Sequence, residues 1–245
     1  MDRPLGPFTP AVDATAGVAA AALFGAASKI RRARVFHPDG AAFHATFVVD
    51  PGAEPPTGAA LFDQPGRRSA IVRLSRGAGV PEPLPDIFGF AMRVIDAHGP
   101  GLHQDLLVNT AGKGLGRFVF VPRRGHGDGQ YSSVLPYRVG EQLVLVGASA
   151  LPGAWSGTPN RQHDLVSAAE RGELAYCVEI APLLGGWRSV ATVELGSALT
   201  DDESEGLRFN PVENTGSGIA PVGFFQTLRR QAYRGSQAAR PRPTG

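Results

Sequence analysis

The chain has 245 residues, 42% of them hydrophobic and 19% charged, with a formal net charge of +2. That balance excludes wholesale disorder. The 32 glycines and 21 prolines follow no three-residue period, which excludes a collagen-like or coiled-coil rod and points to many turns. Cys177 is the single cysteine, so an internal disulfide and a zinc site built on cysteine pairs are both excluded. It lies in the apolar run Ala175-Tyr176-Cys177-Val178 and reads as a buried small hydrophobe. Nothing points to an oxidising compartment, and a cytoplasmic protein is expected. The pI of about 9.0 does not indicate a nucleic-acid partner, because 22 acidic residues are interspersed with the basic ones.

In chain order, residues 14–33 predict a helix capped by Asp13, with Lys29, Arg31 and Arg32 at the end where a helix dipole favours cations. Its apolar part, 14–27, is too short to span a bilayer and lacks the basic start of an export signal. From Phe43 the pattern changes to period two, with Phe43, Ala45, Phe47 and Val49 on one face of a strand. A Pro/Gly-rich loop over 50–66 leads to a second strand, 69–75, in which Ile71, Arg73 and Ser75 share one face. Strands are expected at 88–95, 106–109 and 118–121. Residues 130–172 read as mainly helical or irregular, with the better helix at 160–171. Strands resume at 173–180 and 188–195, an acidic loop follows at 201–205, and a last helix is expected over about 222–240. The architecture is α+β, mainly β: an antiparallel barrel or sandwich with helices at both ends.

The candidate motifs are uneven. Gly112-Lys113-Gly114-Leu115-Gly116 lacks the spaced leading glycine and the Ser/Thr of a phosphate loop, and reads as a flexible loop. His98 and His103, with Asp96 and Asp105, match no known metal-ligand spacing. Asp164 beside His163 reads as a solvated helix face. Arg229 precedes Tyr233 by four residues, on one helical face. A guanidinium there would favour the phenolate, a hard ligand for ferric iron; the plain alternative is an exposed Tyr–Arg pair. His37 and Arg34 taken alone read as ordinary surface or structural residues. Arg73 needs an anionic partner if its face is inward, and none alternates suitably nearby; if the face is outward, the guanidinium is solvated.

Taken together these segments resemble the heme catalase superfamily. Arg34-Val35-Phe36-His37-Pro38-Asp39-Gly40 is similar to the family's Arg-Val-Val-His-x-x-Gly, and Val72-Arg73-Leu74-Ser75 to Val-Arg-Phe-Ser. Asp86-Ile87-Phe88-Gly89-Phe90-Ala91-Met92-Arg93 is similar to Asp-Pro-Arg-Gly-Phe-Ala-Val-Lys. Asp105-Leu106-Leu107-Val108-Asn109-Thr110 resembles Asp-Leu-Val-Gly-Asn-Asn-Thr. Phe209-Asn210-Pro211, Gly218-Ile219-Ala220-Pro221 and Arg229-Arg230-Gln231-Ala232-Tyr233 follow in matching order.

The resemblance implies one catalase-like heme-binding domain across 1–245, its core at about 30–240, with heme b in the barrel. It implies Tyr233 as the iron ligand, with Arg229 holding it as a phenolate. His37 would be the distal acid–base group, oriented by Ser75, with Asn109 beside the peroxide and Arg34 and Arg73 on the heme propionates. The chain is shorter than a full catalase, and Thr110-Ala111-Gly112-Lys113-Gly114 replaces the family's proline and paired phenylalanines. A small catalase-related peroxidase that reduces hydrogen peroxide or organic hydroperoxides is therefore expected. The alternatives are a heme-dependent isomerase or dehydratase of a specialised metabolite or fatty-acid hydroperoxide, and a non-catalytic heme-binding or sensor protein. The expected partners are a peroxide and a small-molecule reductant, with no nucleic acid or membrane, in a homodimer.

Overall fold

The computed structural model describes residues 40–52, 56–77, 80, 84–152, 162–216 and 218–222, all within the compact unit Asp39–Gly245. Among these residues ten strands form: β1 (Gly40–Val49), β2 (Gly66–Arg76), β3 (Phe88–Val94), β4 (Gln104–Ala111), β5 (Gln130–Ser132), β6 (Tyr137–Val139), β7 (Gln142–Ala150), β8 (Ala175–Pro182), β9 (Arg188–Ala198) and β10 (Ile219–Pro221). Three short helices accompany them: α1 (Ala60–Asp63), α2 (Gln162–Glu170) and α3 (Asp201–Glu205), with a 3-10 turn at Gly114–Phe118.

Eight strands close an antiparallel barrel in the order β7-β5-β4-β3-β2-β1-β9-β8, and the β7–β8 pairing seals it. Closure removes the free edges that an open sheet would leave for aggregation. β6 and β10 extend the sheet beyond β7. The period-two pattern decides which face is inside. Phe43, Phe47, Val72, Leu74, Phe90 and Met92 point inward and are fully or almost fully buried. The interior also holds a polar knot. The Tyr131 and Tyr176 hydroxyls donate to the His126 carbonyl oxygen over 2.8 and 3.2 Å. The His126 ring lies 4.4 Å from the Phe88 ring centroid. Burial, helped by the Arg76 charge, holds the His126 imidazole down at about 3. Burial likewise pushes the Tyr131 and Tyr176 phenols up.

Several expectations need correction. Residues 130–150 are not helical or irregular but form β5, β6 and β7. In β7 five consecutive residues, Val144 to Ala148, are buried, so both faces are covered and the alternation that marks a strand is erased. Residues 118–121 are not a strand: the 3-10 turn ends at Phe118, and only an isolated Ala111–Phe120 bridge follows. The acidic loop at 201–205 is α3, capped by Thr200, whose hydroxyl accepts from the Glu203 amide while the Glu203 carboxylate accepts from the Thr200 amide. Thr-x-x-Glu is the capping-box signature and was available in the sequence. The apolar run of 175–178 does not bury Cys177, which sits half-buried on the outer face, its thiol pushed up by burial. The expected helices over 14–33 and 222–240 lie outside the described residues, apart from Val222, which is not helical.

Candidate functional site

The outer face of β2, β3 and β4 is set by register. One row across the strands reads Gly40, Ser75, Gly89, Asn109, Ser132 and Gly147. The next reads Ala42, Arg73, Ala91 and Leu107. Because the side-chain period is two, Arg73 and Ser75 share this face while Val72 and Leu74 fill the core. The alternative left open in the sequence is thereby settled: the Ile71–Arg73–Ser75 face is the outside of the barrel. These residues converge on the outer face and not in the packed interior.

Two glycines on this face leave room for neighbouring side chains. A Cβ on Gly89 would lie 2.7 Å from Ser75 Oγ and 3.5 Å from Asn109 Oδ1. Gly89 therefore makes room for the Ser75 hydroxyl, with the Asn109 side chain on its other side. A Cβ on Gly40 would lie 2.9 Å from Arg73 Nη2 and 2.7 Å from the Leu74 carbonyl oxygen, so the guanidinium lies against bare backbone. Glycines in strands mark close approach of another group; Gly40 opens β1 and Gly89 is the second residue of β3, and that is the signal by which both could have been added to the sequence-derived site.

Arg73 is half-buried, and burial alone pushes its guanidinium down from the ordinary value. No salt bridge or hydrogen bond joins it to another described residue. A guanidinium keeps its charge at any physiological pH, so the face carries a partly desolvated cation that lacks an anion among the described residues. The contrast with Arg93, three positions after Phe90 on β3, is sharp. Arg93 donates to both oxygens of Asp105, from Nε over 2.7 Å and from Nη2 over 2.8 Å.

The Asp105 carboxylate is fully buried and organises the return of the chain. Its Oδ2 accepts from the Asn210 amide over 2.7 Å and from Asn214 Nδ2 over 2.8 Å. Arg93 also donates to the Arg208 carbonyl oxygen and lies over the Phe209 ring, 5.5 Å from its centroid. Residues 208–214 are thus stapled to one end of the same outer face, a structural role the sequence did not reveal.

Of the residues singled out in the sequence, Arg73, Ser75 and Asn109 are brought together. Arg34, His37, Arg229 and Tyr233 lie outside the described residues. His98 bonds Gln104 through Nε2 over 2.9 Å, and His103 accepts from the Asp96 amide over 3.1 Å. Among the described residues no cluster of three or more metal-ligating side chains occurs. His163 and Asp164 are solvent-exposed on α2, 3.7 Å apart.

No protein-family model and no curated protein matches the chain. Solved structures do. The chain is similar to catalase A from Saccharomyces cerevisiae, with a TM-score of 0.59 and 14% identity over 84% of this chain and 60% of that one. A bacterial catalase gives 0.59 and 14% over 82% and 56% of the two chains, and a fungal catalase 0.57 and 12% over 84% and 59%. The chain therefore spans at most 60% of the length of these structures. The fold is catalase-like. Among the described residues no helix is long and apolar enough to cross a membrane.

Proposed function

We propose that the protein is a heme-binding, catalase-related peroxidase that reduces hydrogen peroxide or organic hydroperoxides. The observation that supports this best is the Arg73 guanidinium, which has no anion among the described residues and shares the outer face with Ser75 and Asn109, in a barrel similar to catalases. A planar macrocycle bearing carboxylates fits the chemistry of that face. Gly40 and Gly89 provide the close approach, and a propionate supplies the anion that Arg73 lacks among the described residues. In this reading the macrocycle sits against the outer wall of the barrel.

The remaining residues enter by resemblance. Arg34 would hold a propionate beside Arg73. Tyr233, kept as a phenolate by Arg229, would ligate the iron, and phenolate ligation favours the ferric state. His37 would take the proton of the peroxide and return it to the departing oxygen. Ser75 would orient the imidazole, and Asn109 would hold the peroxide from the other side of Gly89. Heme, when bound, supplies the redox-active iron at which the O–O bond is cleaved. Two one-electron donors complete the reduction of ROOH to ROH and water.

The test is an absorption titration of the purified protein with hemin, followed by assays of donor oxidation and oxygen evolution. A saturable one-to-one Soret change and peroxide-dependent donor oxidation are expected. No spectral change with hemin would refute the reading. Heme binding without peroxidase or catalase turnover would favour the isomerase or sensor alternatives.

A further inference from the structure

The even mixture of charges in the whole chain conceals a local imbalance. No acidic residue occurs between Asp105 and Asp128, or between Glu179 and Glu194. The first stretch contains the 3-10 turn Gly114–Phe118, and the second contains the β8–β9 hairpin tip. Arg117 joins them. It donates from Nε to the Gly114 carbonyl oxygen over 2.7 Å and from Nη1 to that of Gly185 over 2.6 Å. Its guanidinium carbon also lies 5.5 Å from the Trp187 ring centroid. The indole itself is seated on Gly147, whose Cβ position would be 2.5 Å from an atom of the ring. The two tips are therefore one rigid surface feature.

That feature exposes its largest apolar side chains. Leu184 is 88% exposed and Leu115 is 75% exposed, one on each side of the Arg117–Gly185 bond, and Val119 follows at 47%. Single exposed leucines are ordinary. Here the two most exposed large hydrophobic residues among those described are locked together. Exposed Lys113 and half-buried Arg188 accompany them, Arg117 is buried between the tips, and neither tip carries a carboxylate. Trp187 adds an amphipathic ring of the kind enriched where water meets lipid.

We infer that the paired tips Lys113–Val119 and Leu184–Arg188 dock the protein peripherally on an anionic lipid surface. The leucines enter the boundary between headgroups and acyl chains, and exposed Lys113 faces anionic headgroups. Charge decides the choice of partner: tips that carry Lys113, Arg117 and Arg188 and no carboxylate are net positive and match an anionic leaflet. This proposal stands independently of the peroxidase reading.

Sedimentation of the full chain with vesicles tests it, using phosphatidylcholine with and without phosphatidylglycerol. Binding is expected only with the anionic lipid, and it should weaken as salt screens the charges. Each leucine leaving water contributes roughly tenfold or more to partitioning, and each cation roughly fivefold near an anionic leaflet. The Leu115→Ser/Leu184→Ser double variant should therefore bind at least about tenfold more weakly, and Lys113→Gln about fivefold, both with unchanged circular dichroism. No binding to anionic vesicles, or equal binding by wild type and both variants, overturns the proposal. So does a concentration-dependent dimer that the double variant abolishes without any vesicle binding, which would assign the tips to a second copy of the chain.

Discussion

Ser75 and Asn109 face each other across Gly89: a Cβ on that glycine would lie 2.7 Å from Ser75 Oγ and 3.5 Å from Asn109 Oδ1. The gap is kept open only by the missing side chain. Gly89→Ala should cost about 1–3 kcal/mol through overpacking. Ser75→Ala removes the obstructing oxygen, so the double variant should regain a large part of that loss. Urea denaturation of both single variants and the double variant gives the coupling directly. A simple sum of the two effects would show that the clash is relieved elsewhere.

Arg73 separates the energetics of the barrel from those of its ligand. A partly buried charge costs stability unless it is paired, and Arg73 has no anion among the described residues, so Arg73→Met should leave the ligand-free protein as stable as wild type, or more stable. A charge-assisted hydrogen bond is worth about 1.5–3 kcal/mol, so the same change should weaken hemin binding by at least about tenfold. Thermal melts without hemin and a spectroscopic titration with it report the two quantities separately. A strongly destabilised ligand-free variant with unchanged hemin affinity would mean that the guanidinium serves the fold alone.

Where one face of a strand is buried, the sequence is explicit. Phe43, Phe47 and Val49 alternate as expected and face the core, and Val72 and Leu74 do so on β2. Where both faces are covered, as around Leu145, periodicity vanishes and β7 escapes notice. The grouping of Arg73 with Ser75 was legible because both lie on one strand. The gap at Gly89 was not, because it depends on the β2–β3–β4 register, a property of long-range pairing. Asp105 illustrates the same limit: its partners Asn210 and Asn214 are 105 and 109 residues away in the chain, and local pattern carries no trace of them.

The Asp105 staple should be among the strongest single polar contributions to the fold. Removing one partner of a buried ion pair typically costs about 3–5 kcal/mol, because the other charge is left uncompensated. Asp105→Ala should fall in that range, and adding Arg93→Ala should cost much less than a second independent loss. Urea unfolding measures both. A second measurement locates the effect: limited proteolysis should open the 207–216 segment of Asp105→Ala before the barrel strands. Cleavage at wild-type rates would show that β10 and its pairing with β6 hold that segment without the carboxylate.

His126 sets the acid limit of the barrel. Its imidazole, buried and close to the Arg76 charge, is held down at about 3, against about 6.5 in an unfolded chain. Above pH 6.5 both states carry the neutral ring, and His126 contributes no pH dependence. As pH falls below that value the unfolded chain binds a proton that the folded protein refuses. Stability then declines by about 1.4 kcal/mol per unit, to a total of about 5 kcal/mol near pH 3. His126→Gln removes the titrating group while keeping a polar side chain beside Tyr131. It should lower stability at pH 7, where the packing against Phe88 is lost, and flatten the decline between pH 6 and pH 4. Urea midpoints across that window decide the matter. Parallel slopes for wild type and variant would assign the acid sensitivity to carboxylates, and would mean that the imidazole reaches water in the native protein.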